Sequence, residues 1–140
     1  MRVLVQRVKN AKITINGESK SMGVGLVAYV GYGKGDTDRN EWLANKLCGL
    51  RVFEENDKMN LSISDVGGVL MLVSNFTLCG SAQKGFRPSF DGAMAYEEAE
   101  KLFYDLVDRC SKRVSVVSGV FGADMLIECG VDGPVNIIIE

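Results

Sequence analysis

Pro134 follows Gly133 directly and stands at the head of the apolar run Val135-Asn136-Ile137-Ile138-Ile139. Proline has no N–H to give a ladder, so a strand holding one starts there, lies at an edge or carries a bulge. The bond before it keeps a trans preference of only about 0.5–1 kcal/mol, so a cis form is within reach. Glycine on the other side removes the Cβ that would crowd a sharp bend or the close approach of a ligand. Pro88 is the only other proline, so the Gly-Pro pair is the strongest local constraint on the C-terminal strand region. Taken alone, it is a turn at the start of a strand.

The remaining pattern is read by period. Met1–Val8 and Ala11–Ile15 alternate apolar and polar residues, as strands do. Asn16-Gly17 supplies a hairpin turn between strands, because both residues tolerate positive φ. Gly25–Gly31 is continuously apolar and suits a central strand buried on both faces, and Gly33-Lys34-Gly35-Asp36 breaks it. A helix capped near Asp36 or Thr37 follows, with Leu43, Leu47 and Leu50 on one face. Arg51-Val52-Phe53 reads as a short strand and Val69–Asn75 as a longer buried one, with a hairpin tip at Asn56-Asp57. Ala99, Leu102, Phe103, Leu106, Val107 and Cys110 recur at helical spacing, with acids early and Arg109, Lys112 and Arg113 late. Three strands close the chain: Val114–Val117, Met125–Cys129 and Val135–Ile139. Strands at both ends with two helices between them predict a mixed sheet with helices on one side, in one domain spanning 1–140.

Composition then narrows the chemistry. A chain of 140 residues with 46% hydrophobic content fills one core. No apolar run approaches the roughly 18 residues of a membrane span, and the alternating N-terminus is no signal peptide. A soluble, cytoplasmic protein is expected. Cys48, Cys79, Cys110 and Cys129 are too scattered for CxxC pairs and read as free thiols. The chain has no histidine, which removes Ser–His and Cys–His pairs and the usual neutral-pH base. There is no complete dinucleotide fingerprint and no phosphate loop. No metal site or cofactor is expected. The net charge of −2 gives no global basic surface, although Lys84 and Arg87 lie in a stretch, Cys79 to Phe90, without acids.

The polar candidates cluster in Ser74-Asn75-Phe76-Thr77-Leu78, where the buried strand ends. Backbone N–H groups at such a tip can hold an oxyanion, one good donor contributing about 3–4 kcal/mol. The same hydroxyls serve equally well to satisfy local backbone groups, as most serines and threonines do.

These segments together resemble the D-aminoacyl-tRNA deacylase family along nearly the whole chain. Ser74-Asn75-Phe76-Thr77-Leu78 is similar to the family's SQxTL motif, and Asp132-Gly133-Pro134-Val135-Asn136 to its NxGPxT motif. Gln6-Arg7-Val8, Lys58-Met59-Asn60-Leu61, Gly85-Phe86-Arg87-Pro88-Ser89-Phe90 and Gly122-Ala123-Asp124-Met125 recur in similar order. The resemblance implies a single-domain, three-layer α/β/β fold with mixed sheets and two main helices. It implies a homodimer that hydrolyses the ester between a D-amino acid and tRNA, and that also accepts glycyl-tRNA. Gly133 and Pro134, in a cis bond lent to the other subunit, would bind the amino group and exclude an L side chain.

By the same resemblance, the N–H groups of Phe76 and Thr77 would hold the oxyanion, and the Thr77 hydroxyl would position ester or water. Ser74, Asn75 and Met125 would contact substrate, Lys84 and Arg87 tRNA phosphates, and Arg7 would support the Gly-Pro loop. With no histidine, the ribose 2′-OH of the terminal adenosine and water would carry the protons. Asn75 and Asn136 depart from the usual glutamine and threonine, and Val131 from a common asparagine. A same-fold deacylase with shifted specificity and a non-catalytic tRNA-binding dimer are the alternatives.

Overall fold

The computed structural model describes residues 1–140. From the N-terminus, β1 (Arg2–Ile15) turns at Asn16-Gly17 into β2 (Glu18–Met22), and β3 (Gly25–Gly31) leads to α1 (Asn40–Gly49). The hairpin β4 (Phe53–Glu55) and β5 (Lys58–Leu61) precedes β6 (Val69–Ser74) and a 3-10 turn, Phe76–Cys79. α2 (Tyr96–Ser111), β7 (Ser115–Ser118) and β8 (Leu126–Ile139) complete the chain. Both hairpin tips use positive φ, at Asn16 and Gly17 (52° and 78°) and at Asn56 and Asp57 (53° and 63°). That matches the right-handed twist of the flanking strands.

The main sheet runs β2-β1-β3-β6-β7 and is mixed: β1 is antiparallel to β3, whereas β3, β6 and β7 are parallel. The first half of β1 pairs with β3 and the second half with β2, while β8 follows β1 through both halves. Breaks in register around Val8 separate the two halves. Alternation along the strands then fills two interiors. Val3, Val5, Leu26, Ala28, Leu70 and Leu72 pack with Leu43 and Leu47 of α1 and with Phe103 and Leu106 of α2. On the opposite face, Val27, Met71 and Val73 meet Val8, Ala11 and Ile13 of β1 and Met22 of β2. The layers are therefore helices, central sheet and a second sheet layer built from the far ends of β1, β2 and β8. Burial on both faces explains the unbroken apolar run of β3, since each fully buried aliphatic side chain contributes about 1.5–3 kcal/mol.

Three expectations need correction. α1 begins at Asn40 and not at Asp36 or Thr37, because the Asp36 carboxylate is engaged elsewhere. It accepts from the Gly33 N–H at 2.5 Å and pairs with the Met1 amino group at 2.5 Å. The Asn40 N–H is taken by Asp38 instead, at 3.0 Å. The short strand starts at Phe53, after Val52, and forms a hairpin with β5. Met125–Cys129 and Val135–Ile139 are not two strands but parts of β8, because β1 pairs with both. Gln6 pairs with Asn136 and Val8 with Val131, so Arg7 alone faces the four-residue excursion between them. β8 pairs with β1 only, so a proline there removes no ladder bond from a second neighbour. No helix is long and apolar enough to cross a membrane.

Candidate active site

β6 ends at Ser74. The next N–H, from Asn75, bonds to the Val30 carbonyl at 2.8 Å, and the chain then winds into the 3-10 turn. Leu78 and Gly80 donate to the carbonyls of Asn75 and Thr77, at 3.3 and 3.0 Å. The N–H groups of Phe76 and Thr77 come too early in the turn to have a partner within it. A cavity of about 420 Å³ opens beside them. One wall is Ser74, Asn75, Phe76 and Thr77, and the remainder includes Tyr32, Met94, Tyr96, Phe121, Gly122 and Met125. That volume suits a small organic group.

The cavity is apolar and nearly free of titratable groups. Tyr32 and Tyr96 are the only side chains lining it that ionise, and no carboxylate, amine or thiol does. The Tyr32 hydroxyl donates to Asn40 Oδ1 at 2.8 Å, and burial holds its phenol well above the ordinary value. Thr77 Oγ1 donates to Asn75 Oδ1 at 2.5 Å. An amide oxygen accepts a hydrogen bond but does not remove the proton, so the Thr77 hydroxyl has no base beside it. Tyr96 stacks edge-on against Phe121 with ring centres 5.0 Å apart, and Phe76 against Phe90 at 5.3 Å. Gly122, at φ 76°, lies so close to the Tyr96 hydroxyl that a side chain there would collide with it.

The Gly133–Pro134 bond is cis, and Gly133 has φ 121°, a region that side chains disfavour. Both residues are exposed, and neither lines the cavity of its own chain. Arg7, only 6% exposed, sits under the excursion it faces in register. Its guanidinium donates to the Val52 carbonyl at 2.8 Å and to the Asp132 carbonyl at 3.4 Å. It also lies 3.4 Å from the Asp132 carboxylate and 3.6 Å from Glu54. A Cβ on Gly133 would come within 3.2 Å of Arg7 and 2.9 Å of the Val135 side chain.

Lys84 and Arg87 occupy a third place, an exposed loop closed by reciprocal 2.8 Å bonds between Ser81 and Ser89. The residues singled out from the sequence thus form three groups: Ser74, Asn75, Phe76, Thr77 and Met125 at the cavity, Arg7, Gly133 and Pro134 at the excursion, and Lys84 and Arg87 on the loop. Tyr32, Met94, Tyr96 and Phe121 were not legible as site residues. Tyr96 precedes the apolar stripe of α2, and Phe121 lies between strands; the one signal was the neighbouring Gly122–Met125 segment.

The family model for D-Tyr-tRNA(Tyr) deacylase matches residues 4–140. The chain is 48% identical to the D-aminoacyl-tRNA deacylase of Thermodesulfovibrio yellowstonii, over all of this chain and 99% of that protein. It is 47% identical to the D-aminoacyl-tRNA deacylase of Carboxydothermus hydrogenoformans, with the same coverage. A solved structure titled c-Myc DNA unwinding element binding protein is similar, with a TM-score of 0.92 at 33% identity over 100% of this chain and 98% of that one. A probable eukaryotic D-amino acid tRNA deacylase shares the fold, with a TM-score of 0.78 at 19% identity over 99% and 97% of the two chains. With its cavity, its fold and its near-complete match to the family model in agreement, the chain belongs to the D-Tyr-tRNA(Tyr) deacylase family and is a deacylase, a hydrolase of ester bonds.

Proposed function

We propose that the protein hydrolyses the ester of D-aminoacyl-tRNA, and of glycyl-tRNA mischarged on tRNA(Ala), as a cytoplasmic homodimer that spares L-aminoacyl esters. The observation that carries this reading is the cavity at the head of the 3-10 turn, where two uncommitted main-chain donors meet apolar walls without a general base. An ester needs only orientation and a stabilised oxyanion to be attacked at a useful rate. The N–H groups of Phe76 and Thr77 stabilise the negative oxygen. Thr77, held by Asn75, positions the ester, and Ser74 and Met125 bound the terminal nucleoside.

The proton transfers pass through the ribose 2′-OH and water, which fits a cavity with no histidine, carboxylate or lysine. Gly133 and Pro134 from a second copy close the cavity, bind the amino group through their carbonyls and leave no room for an L side chain. Their exposure, and their absence from their own chain's cavity, support this sharing. Arg7 holds the excursion that presents them, and Lys84 and Arg87 contact tRNA phosphates. A glycyl ester has no side chain to refuse.

The test is to incubate the protein with D-Tyr-tRNA, Gly-tRNA(Ala) and L-Tyr-tRNA. Release of tRNA from the first two alone is expected. Release from L-Tyr-tRNA would refute rejection by handedness, and binding without release would refute hydrolysis.

A further inference from the structure

The loop that carries Lys84 and Arg87 holds a residue with no structural work to do. Phe86 is 105% exposed, more than in an extended reference chain, so its ring touches nothing in the fold. Single exposed apolar residues are common, but this one sits in unusual company. Lys84 and Arg87 flank it, both exposed and without an ion pair, and Gly85 at φ 64° makes the turn that raises the tip. The base is firm. Ser81 and Ser89 exchange both backbone bonds, and the Lys34 N–H bonds to Gly92 at 2.8 Å, bringing another cationic residue to the root. Asp91 is the one acid on the loop. Phe90 braces the arm against the cavity, its ring 5.3 Å from that of Phe76.

An aromatic face between two free cations, on an arm anchored at the cavity wall, has the chemistry that recognises single-stranded nucleic acid. The ring takes a base, whatever its identity, and the cations take the phosphates on either side. Resting on the function proposed above, we propose that Phe86 is a stacking platform for an unpaired base of the tRNA 3′ end, upstream of the terminal adenosine. Lys84 and Arg87 hold the adjacent phosphates. The arm therefore reads the strand leading into the cavity and leaves the ester to the cavity itself.

Deacylation kinetics of Phe86→Ala and Phe86→Trp, on D-Tyr-tRNA and on the truncated ester D-Tyr-adenosine, test this. Phe86→Ala is expected to raise KM for D-Tyr-tRNA roughly 5- to 100-fold, as loss of one stacked base would. Its kcat and its turnover of D-Tyr-adenosine should match the parent, and Phe86→Trp should restore KM. An unchanged KM for tRNA overturns the proposal. So does an equal loss on both substrates, which would make Phe86 part of the cavity, or a loss of dimer in sedimentation, which would make it a contact between copies. Should the parent hydrolyse neither ester, the function proposed above fails by itself. The platform is then judged by titrating uncharged tRNA into Phe86→Trp. Quenching of the new indole, reproduced by a single-stranded oligonucleotide, supports it, and a flat signal refutes it.

Discussion

The groups assigned to the oxyanion are main-chain N–H groups, and a main-chain donor can be deleted by one substitution. Asn75, at φ −149° and ψ 86°, lies outside the α region that a following proline disfavours, and position 76 opens the 3-10 turn. Phe76→Pro therefore removes one donor with the turn retained, and kcat for D-Tyr-tRNA should fall by about 10²–10³. Phe76→Leu keeps the N–H and should stay within about tenfold of the parent, which separates the donor from the ring. Thr77→Val is expected to slow single-turnover cleavage far less than Phe76→Pro does. Its hydroxyl faces an amide oxygen at 2.5 Å and is no activated nucleophile. A loss in Thr77→Val as large as that in Phe76→Pro would return the hydroxyl to the chemistry.

At the scale of elements, α1 and α2 are joined by a polar seam that carries the cavity wall. Asn40, fully buried, receives the Tyr32 hydroxyl and donates to the Leu102 carbonyl at 2.7 Å and to Asp105 at 2.9 Å. Tyr32→Phe leaves the Asn40 oxygen without its donor and should cost about 1–3 kcal/mol in urea unfolding. Hydrogen bonds from Asn40 and then Arg109 hold the Asp105 carboxyl below its ordinary value. A depressed carboxyl stabilises the fold above its unfolded pKa, near 3.9, and that support is lost as pH falls through the lower folded value. The difference in urea midpoint between the parent and Asp105→Asn should therefore be present at neutral pH and shrink as pH falls below the unfolded carboxyl value of about 3.9. A difference independent of pH would mean that the carboxylate charge is not what holds the seam.

This seam also explains where elements were and were not legible. α2 showed its apolar stripe because its buried face is regular: Ala99, Phe103, Leu106 and Cys110. The start of α1 was hidden because Asp36, one of the two caps expected, is used by Met1 and Gly33. β8 was divided in two because Gly130 to Pro134 carries turn chemistry, and only the pairing with β1 continues it as one strand.

For the molecule as a whole, local chemistry named candidate segments one by one, and only the family resemblance implied how they meet across two chains. Ser74–Thr77 could be read as the tip of a strand, and Gly133-Pro134 as a bend, from local chemistry alone. Tyr96 and Phe121 could not, because their place depends on α2 and the β7–β8 connection converging over β6. The same folding leaves Gly133 and Pro134 exposed and outside their own chain's cavity, on a strand whose Leu126 and Ile138 are also exposed and which pairs only with β1. The account thus assigns each working site to two chains, and subunit mixing tests that most directly. Phe76→Pro damages the cavity and Pro134→Ala damages the excursion, and each variant alone should be nearly inactive or indiscriminate. Unfolded together, refolded and separated from both parent homodimers by a different affinity tag on each variant, the hybrid twofold dimer should regain about half of the parental D-Tyr-tRNA activity with L-Tyr-tRNA spared, because one of its two sites is intact. If the hybrid stays inactive on D-Tyr-tRNA or cleaves L-Tyr-tRNA, the cavity and the Gly-Pro bend do not work across chains.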